Sequence, residues 1–413
     1  MKHTSVHDIR EQRKRNKRNH IIDLFRKHER LSKAEVKSLS GYAMSTVIDA
    51  VDHLNNQGML RPLGTEKTDR PGRPSLYYTL EDTHLIYAGV TFTPSGIHSV
   101  LMSFSGKVLA RRDEVLEKPL NRNRFIKRFS RHIKALLADN QEIAQNLEST
   151  GFALPGDVDT ESGILKSYAL MPGLSGLDFS RIARKIVNGT DIVFEHNVTG
   201  FLSWFIRDRE RIRAYPRIYL VSLRGGPSLG EIYKGEIIMG RGELGHVQVA
   251  EHGPDCTCGR SGCLDTYLSH GALSDALIRI CTREKIPLDS DTHKGFLPID
   301  RIIQLYRSPS ERIRGEIRSR FALLGKALLD LINLGSPDLV ILSGGLFNCF
   351  DDPVETIRSL ISSQYKDNGY IRNYRRTEMI FENHSTAIAA EGIAYRIMQK
   401  DFAYDAEKHL QEK

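Results

Sequence analysis

Residues 242–265 read GELGHVQVAEHGPDCTCGRSGCLD and hold one histidine and three cysteines within 18 positions. The four candidate metal ligands are His246, Cys256, Cys258 and Cys263. One imidazole nitrogen and three thiolates form the soft, tetrahedral donor set of a closed zinc site. Gly259 and Gly262 allow the tight turns that would bring three thiolates around one ion. Four protein ligands leave no position open for water, so the motif predicts a structural zinc ion and not a catalytic one.

The remaining cysteines and the hydropathy pattern bear on the compartment. Cys281 and Cys349 stand apart from the cluster, and five cysteines in 413 residues are too few for a disulfide framework. No stretch reaches the roughly 18–20 uninterrupted apolar residues of a membrane helix. No apolar segment of a secretory signal follows the basic N-terminus. We therefore expect a cytoplasmic protein without a membrane partner.

The positive charge of the chain is concentrated at its amino-terminal end. The formal net charge is +8, and residues 1–80 contain 16 Lys and Arg against 9 Asp and Glu. Residues 81–413 contain 43 basic and 42 acidic side chains and are almost neutral. A basic end on a neutral body predicts a module that binds a polyanion, attached to a second domain.

Periodicity in residues 1–80 predicts three helices. Apolar residues repeat at helical spacing after the basic run 10–18, which predicts a first helix over about residues 19–28. Ser32 and Glu35 form a capping box at the start of a second helix. A third helix follows the turn at Gly41 and ends before Gly58. Three short helices with a tight turn before the third are typical of a helix-turn-helix.

Two short strands around a basic Gly/Pro tip follow, and they predict a wing. The module is therefore predicted to be a winged helix-turn-helix spanning residues 1–80, with the N-terminal end of its third helix in the major groove of double-stranded DNA. The predicted DNA-contacting residues are Arg13, Lys14, Arg15, Lys33, Met44, Ser45, Thr46, Asp49, Arg70 and Arg73. A helical hairpin for protein contacts, with a merely solvated charge run, is the alternative.

Residues 81–413 alternate between apolar strand-like segments and helical segments. This order predicts an α/β body with mainly parallel strands. About 330 residues are enough for two lobes with a ligand cleft between them.

The motif that opens this section resembles the signature of the ROK family, which contains sugar-responsive repressors and sugar kinases. The match consists of Glu243-x-Gly-His246 followed by Cys-x-Cys-Gly-x-x-Gly-Cys, with the zinc loop at 246–263. The segments 152–156, 333–337 and 340–345 also resemble family motifs. The resemblance implies a two-lobed actin-like (ribonuclease H-like) ATPase fold in the body, assembled as a homodimer or homotetramer.

The positions that match the kinase machinery of the family lack its chemistry. The first phosphate loop matches residues 91–95, which lack the acidic residue and the paired glycines. Pro94 also removes an amide donor there. The second loop matches residues 223–230, where Pro227 and Leu229 stand at positions of close phosphate approach. The catalytic base aligns with Asn197, whose amide cannot accept a proton from a substrate hydroxyl. We therefore expect no enzymatic activity.

The resemblance also implies a sugar site. Glu243 and His246 match positions that contact sugar hydroxyls, and His246 would use one ring nitrogen for zinc and the other for the ligand. Asp265 replaces the glutamate of the family, and Asn197 can still hydrogen-bond a hydroxyl. The asparagine expected near 170–171 is missing.

Together these features predict a sequence-specific repressor of carbohydrate-metabolism genes that a sugar or sugar derivative releases from its operator. Two alternatives remain open at this point. One is a ROK sugar kinase with a DNA-binding head, and the other is a repressor controlled by a partner protein.

Overall fold

A computed structural model describes residues 6–66, 75–116, 120–168, 170–187, 189–288, 296–364 and 372–403. Among these residues, none of the helices combines the length and the apolar character needed to cross a membrane.

The amino-terminal head comprises the described residues up to Leu80. Its elements are α1 (Val6–Lys27), β1 (Leu31–Ser32), α2 (Lys33–Ser40), α3 (Met44–Asn56), β2 (Leu60–Glu66) and β3 (Ser75–Leu80). The three strands pair antiparallel in the order β1-β3-β2. The predicted capping box is confirmed: the Glu35 amide donates to Ser32 Oγ (3.3 Å), and the Ser32 amide donates to Glu35 Oε2 (2.7 Å).

The predicted start of the first helix is wrong. α1 begins at Val6 and not near residue 19, so the basic run is part of the helix. Residues 11–15 are exposed, and Lys14 pairs with Glu11 one turn away (2.9 Å). Arg, Lys, Gln and Glu are good helix formers, so this segment is helical without an apolar face. Apolar periodicity detects only the part of the helix that packs on other elements.

The body contains the remaining strands and helices. Its strands are β4 (Ile86–Thr93), β5 (Gly96–Ser103), β6 (Val108–Val115), β7 (Leu147–Leu154), β8 (Asp157–Asp159), β9 (Ile164–Ser167), β10 (Leu177–Asp178), β11 (Asp191–His196), β12 (Arg217–Leu223), β13 (Pro227–Tyr233), β14 (Glu236–Gly242), β15 (Leu339–Ser343) and β16 (Glu378–Phe381). Its helices are α4 (Arg122–Asp139), α5 (Gln141–Ala144), α6 (Phe179–Arg184), α7 (Asn197–Phe205), α8 (Arg209–Ala214), α9 (Asp265–Leu268), α10 (His270–Glu284), α11 (Ile299–Tyr306), α12 (Glu311–Gly335), α13 (Pro353–Ser362), α14 (Arg372–Arg376) and α15 (Ile388–Asp401).

Two five-stranded sheets organise the body. The first sheet has the order β11-β7-β4-β5-β6, and the second has the order β14-β13-β12-β15-β16. In each sheet two neighbouring pairs are parallel and two are antiparallel. The expectation of mainly parallel strands is therefore wrong. Tight turns account for the difference: Lys234 and Gly235 both have positive φ (49° and 84°), as in the two-residue turns that favour hairpins.

Helices α7 and α15 pack against the sheets. α7 contacts strands of both sheets, whereas α15 covers one face of the first sheet. The two helices cross where Gly200 meets Gly392, and a Cβ atom on Gly392 would lie 1.8 Å from the Gly200 carbonyl oxygen. Glycine at this crossing therefore lets the backbones approach closely. Because α7 begins at Asn197, the packing also fixes the position of that residue.

The head packs directly on the body through α1. Asn19 Nδ2 donates to the carbonyl of Ala403 (3.0 Å), and Arg26 Nε donates to the carbonyl of Phe104 (3.0 Å). The Arg26 guanidinium also lies 5.0 Å from the centre of the Phe402 ring. Buried residues of the head and of the body form one continuous hydrophobic cluster.

An ion pair reinforces this junction. Asp23 of α1 is 3% exposed, and it accepts hydrogen bonds from Arg209 at the start of α8 (3.1 Å) and from Lys27 (2.8 Å). Burial opposes ionisation of Asp23, but the Arg209 and Lys27 contacts outweigh burial and lower its pKa to about 2. The ionised carboxylate is therefore the form that the folded chain favours.

Replacing Asp23 with asparagine is expected to destabilise the chain by about 2 kcal/mol at neutral pH, from the pKa difference between 3.8 unfolded and about 2 folded. A lowered carboxylate pKa adds stability above the unfolded value, and this contribution is lost as the pH falls toward the folded value. The difference between wild type and variant should roughly halve from about pH 5 to about pH 3 in urea unfolding. The exposed pair of Asp139 and Arg112 supplies the control Asp139→Asn, for which little change is expected. An Asp23→Asn effect that does not vary with pH would contradict the assignment.

Candidate metal centre and ligand cleft

The cysteine loop follows the last strand of the β12–β14 hairpins. After β14, a short 3₁₀ turn over Leu244–His246 presents the histidine. Isolated bridges between Gln248 and Cys263 and between Asp255 and Ser261 then fold the loop back on itself. Gly262 has φ of 69°, and a Cβ atom there would lie 2.0 Å from the Ala250 carbonyl oxygen. Only glycine fits this turn without a shift of the backbone.

The four predicted ligands come together, as the motif predicts. Donor atoms of His246, Cys256, Cys258 and Cys263 all lie within 4.8 Å of one another. His246 Nδ1 is 3.4 Å from Cys256 Sγ, and Cys258 Sγ is 3.6 Å from Cys263 Sγ. One imidazole and three thiol groups at this separation have the composition of a four-coordinate structural zinc site.

The pKa values of the thiols are consistent with a cation bound at the centre of the cluster. The Arg260 backbone amide, together with the neighbouring thiols, lowers the pKa of Cys258 to about 6. Burial and the adjacent sulfur atoms raise the pKa of Cys263 to about 12. Crowded thiols therefore cannot all ionise without a compensating positive charge, and a bound divalent ion would supply it.

Of the four predicted sugar contacts, His246 belongs to this cluster, and Glu243 and Asp265 lie beside it. His246 turns Nδ1 toward Cys256, while its Nε2 lies 3.8 Å from Glu243 Oε2. Burial, together with the nearby Glu243 charge, raises the pKa of Asp265. Asp265 also packs closely against Gly226 and Gly245: a Cβ atom on Gly226 would lie 2.4 Å from Asp265 Oδ1. The side chains of Glu243, Asp265 and His246 thus form a cluster of polar side chains beside the loop between β12 and β13.

Asn197 lies at the first turn of α7, next to the end of β14. Thr199, two residues later, donates to the Gly240 carbonyl (3.4 Å). His196 Nε2 approaches the Gly156 carbonyl (2.7 Å), which places the Pro155-Gly156 end of segment 152–156 beside the end of β11. Leu170 occupies the position near which the family resemblance implies an asparagine. A Cβ atom on Gly225 would lie 3.4 Å from the Leu170 side chain. An apolar group therefore borders the loop at Gly225.

Arg224 is a site residue that sequence reasoning missed. It lies in the segment that matches the second phosphate loop, and its Nη2 donates to Ser343 Oγ (3.2 Å) and to the His384 carbonyl (2.8 Å). Its guanidinium lies 4.4 Å from the centre of the Phe201 ring. Burial lowers the pKa of Arg224 to about 10. The loop that matches a phosphate-binding segment is therefore fixed by an internal cation.

The predicted DNA-contacting residues divide into three groups. Met44, Ser45 and Asp49 are exposed at the start of α3, and Thr46 is half-buried. Arg13, Lys14 and Arg15 are exposed on α1. Arg70 and Arg73 lie outside the described residues.

Two features at α3 differ from the predicted DNA-contacting surface. Lys33, predicted to contact phosphate, forms an ion pair with Asp52 of α3 (2.5 Å). Ile48 is 39% exposed, as is Met44 at 38%, on the same helix. Helical spacing from Met44 to Ile48 could have identified this second apolar side chain.

Two mixed five-stranded sheets and a His/Cys₃ cluster define an α/β protein. The ROK family model matches residues 89–396, so the chain belongs to the ROK family.

Two similar proteins cover nearly the whole chain, and a third covers about three quarters of it. The DNA-binding transcriptional dual regulator NagC of Escherichia coli is 23% identical over 406 residues, with 92% of each chain covered. A ROK family transcriptional regulator, a homologue of the E. coli Mlc protein, has a similar structure with a TM-score of 0.72 and 17% identity, and covers 97% of this chain and 100% of its own. The ROK hexokinase of Thermus thermophilus has a TM-score of 0.57 and 17% identity, and covers 77% of this chain and 100% of its own.

Proposed function

We propose that this chain is a transcriptional repressor of carbohydrate-metabolism genes, which a sugar or sugar derivative releases from its DNA operator. The observation that carries the proposal is the head, whose third helix exposes its first turn to solvent. The head precedes the residues that match the ROK family model, which begin at residue 89. The similarity to NagC, which is named a DNA-binding regulator, supports the same function.

Residues 1–80 serve as a winged helix-turn-helix, and residues 81–413 serve as the ligand-binding and oligomerisation domain. The start of α3 enters the major groove, where Ser45, Thr46 and Asp49 reach base edges. Apolar side chains of Met44 and Ile48 suit contacts with thymine methyl groups. The basic residues of α1 and the segment between β2 and β3 contact phosphates.

The body binds structural zinc and the inducer side by side. His246 holds the ion through Nδ1 and presents Nε2 to the ligand, so the metal orients a ligand contact. Glu243, Asp265 and Asn197 accept or donate hydrogen bonds to sugar hydroxyls. In a homodimer or homotetramer, inducer binding changes the spacing of two α3 helices so that they no longer match a two-fold operator. The inducer must bind the released state more tightly for this switch to work.

Phosphoryl transfer is not part of this proposal, because two positions oppose it. Asn197 cannot act as a base, and Arg224 is tied to Ser343 and His384 in the matching phosphate loop. The variant Asn197→Asp, which restores a carboxylate, is therefore expected to release no ADP above background with hexoses or hexosamines. A coupled ADP assay checks this, with a ROK glucokinase as the positive control. ADP release that depends on the sugar and on the introduced carboxylate would revive the kinase alternative.

Selection of bound duplexes from a random-sequence pool tests the proposed function. The full-length, zinc-loaded protein is expected to enrich a two-fold symmetric sequence with half-sites about one helical turn apart or a multiple of it. Absence of any enriched sequence at moderate salt would contradict DNA recognition. Enrichment followed by release only with a cell-extract protein, and with no sugar, would favour control by a partner protein.

A further inference from the structure

The almost neutral body carries a strongly basic helix face. Residues 122–134 of α4 include six Arg and Lys and no Asp or Glu. The side chains of Arg124, Lys127, Arg131 and Lys134 are exposed, and none of them makes a hydrogen bond or ion pair with any described residue. Their spacing of three and four residues places them along one side of the helix. The stripe from Arg124 to Lys134 is about 15 Å long at 1.5 Å per residue.

Helix α6 begins beside this face. Arg122 at the start of α4 donates to the carbonyls of Ser175 (2.9 Å) and Gly176 (3.1 Å), just before α6. The rings of Phe129 and Phe179 lie 5.4 Å apart beneath the two helices. The start of α6 therefore packs against α4 near the N-terminal end of the stripe.

Nearby acidic side chains do not neutralise the four cations of the stripe. Glu114 contacts Arg128 and His132, and Asp139 contacts Arg112 at 2.9 Å. Like charges held this close repel one another in solution, which disfavours the face unless it meets a polyanion. The overall charge count hides this feature, because acidic residues elsewhere in the body balance it.

We propose that the basic face of α4 binds the phosphate backbone of DNA beyond the operator. This proposal rests on the proposed function, since the head brings DNA to the protein. The stripe presents four cations over about 15 Å, a length over which one DNA strand presents several phosphates. Two of the four cations in the stripe are arginines, whose guanidinium suits bidentate contacts with phosphate. Within the described residues, α4 and α6 expose no large apolar side chain that could insert into a membrane.

The position of the face determines which DNA it can reach. Side chains of the first sheet alternate between two faces: Tyr87 and Met102 pack with the head and α15, whereas Phe92 packs with Phe125 and Phe129 of α4. The basic face therefore lies on the opposite side of this sheet from the head. A duplex no longer than the operator cannot contact both surfaces at once, and a longer duplex is needed.

Duplex length and salt dependence test this proposal in the full-length, zinc-loaded protein. Fluorescence anisotropy compares an operator-centred duplex of about two helical turns with one of about 150 bp, the persistence length. Wild type is expected to bind the long duplex about 10-fold more tightly, with a steeper salt slope. The variant Lys127→Gln/Arg131→Gln/Lys134→Gln should bind the short duplex normally. On the long duplex its salt slope should fall by about 2 to 3 and the length advantage should disappear.

A matched variant controls for the loss of three positive charges. Arg279, Arg312 and Arg318 are exposed on α10 and α12, and their replacement by glutamine should leave the length advantage intact. An unchanged length advantage in the α4 variant would overturn the proposal. So would loss of binding to phosphatidylserine vesicles without any change on DNA, since that result assigns the face to a membrane. Failure of wild type to bind the short duplex would contradict the proposed function instead.

Discussion

Replacing Cys258 with serine is expected to reduce bound zinc from about one ion per chain to near zero and to unfold the loop that carries Glu243 and His246. Structural zinc sites contribute about 10–16 kcal/mol of apparent binding free energy in isolated peptides, and the loss of one thiolate removes a quarter of the ligands. Cys258 is exposed, so the serine creates no cavity in the core. A large effect on stability can therefore be assigned to the metal. Elemental analysis and thermal unfolding with and without a chelator measure it.

Cys281 supplies a control of the opposite kind. Its thiol is buried and lies outside the His/Cys₃ cluster. Cys281→Ser should lower stability through the buried hydroxyl while retaining one zinc ion, whereas Cys258→Ser should lose zinc despite its exposed position. Full zinc retention in Cys258→Ser would contradict the ligand assignment.

Replacing Ser45 with glutamate is expected to weaken operator binding about 100-fold, or roughly 2.7 kcal/mol. Ser45 is exposed in the first turn of α3, where the proposed orientation brings the helix nearest to base edges and phosphates. A carboxylate there adds charge repulsion and removes a hydroxyl contact. Anisotropy titrations at constant salt measure the change.

Ser319 provides the matched control because it is also an exposed serine on a helix, on α12 of the body. Ser319→Glu should leave operator affinity within about 2-fold of wild type, since exposed substitutions away from a site have effects within about 0.5 kcal/mol. Equal losses in the two variants would mean that general charge, and not the start of α3, controls binding.

The sequence predicts features that depend on local spacing. The four cluster ligands lie within 18 residues of one another, and the structure brings them together. The capping box at Ser32 and Glu35 is also confirmed, because both of its hydrogen bonds connect neighbouring turns. Hairpin turns such as Lys234-Gly235 are also local features. The prediction of parallel strands rested instead on the alternation of strands and helices along the body. The body was therefore expected to be more parallel than it is.

Long-range contacts could not be predicted in this way. Arg224 finds its partners at Ser343 and His384, more than 100 residues away, and no local pattern connects them. The junction between Asp23 and Arg209 depends in the same way on how the head packs on the body. The basic side of α4 was visible as helical spacing, but a single charge count for the whole body concealed it. Ile48 was likewise accessible from the spacing of α3.

Operator release by a sugar tests the central claim most directly. The full-length, zinc-loaded protein is bound to its selected operator duplex and titrated with a panel of neutral sugars, amino sugars and sugar phosphates at constant ionic strength. We expect one ligand class to weaken operator binding by about 10-fold or more, with Glu243→Gln removing that response while binding the operator normally. Tight operator binding that no member of the panel changes, in wild type and variant alike, would contradict a sugar-responsive repressor.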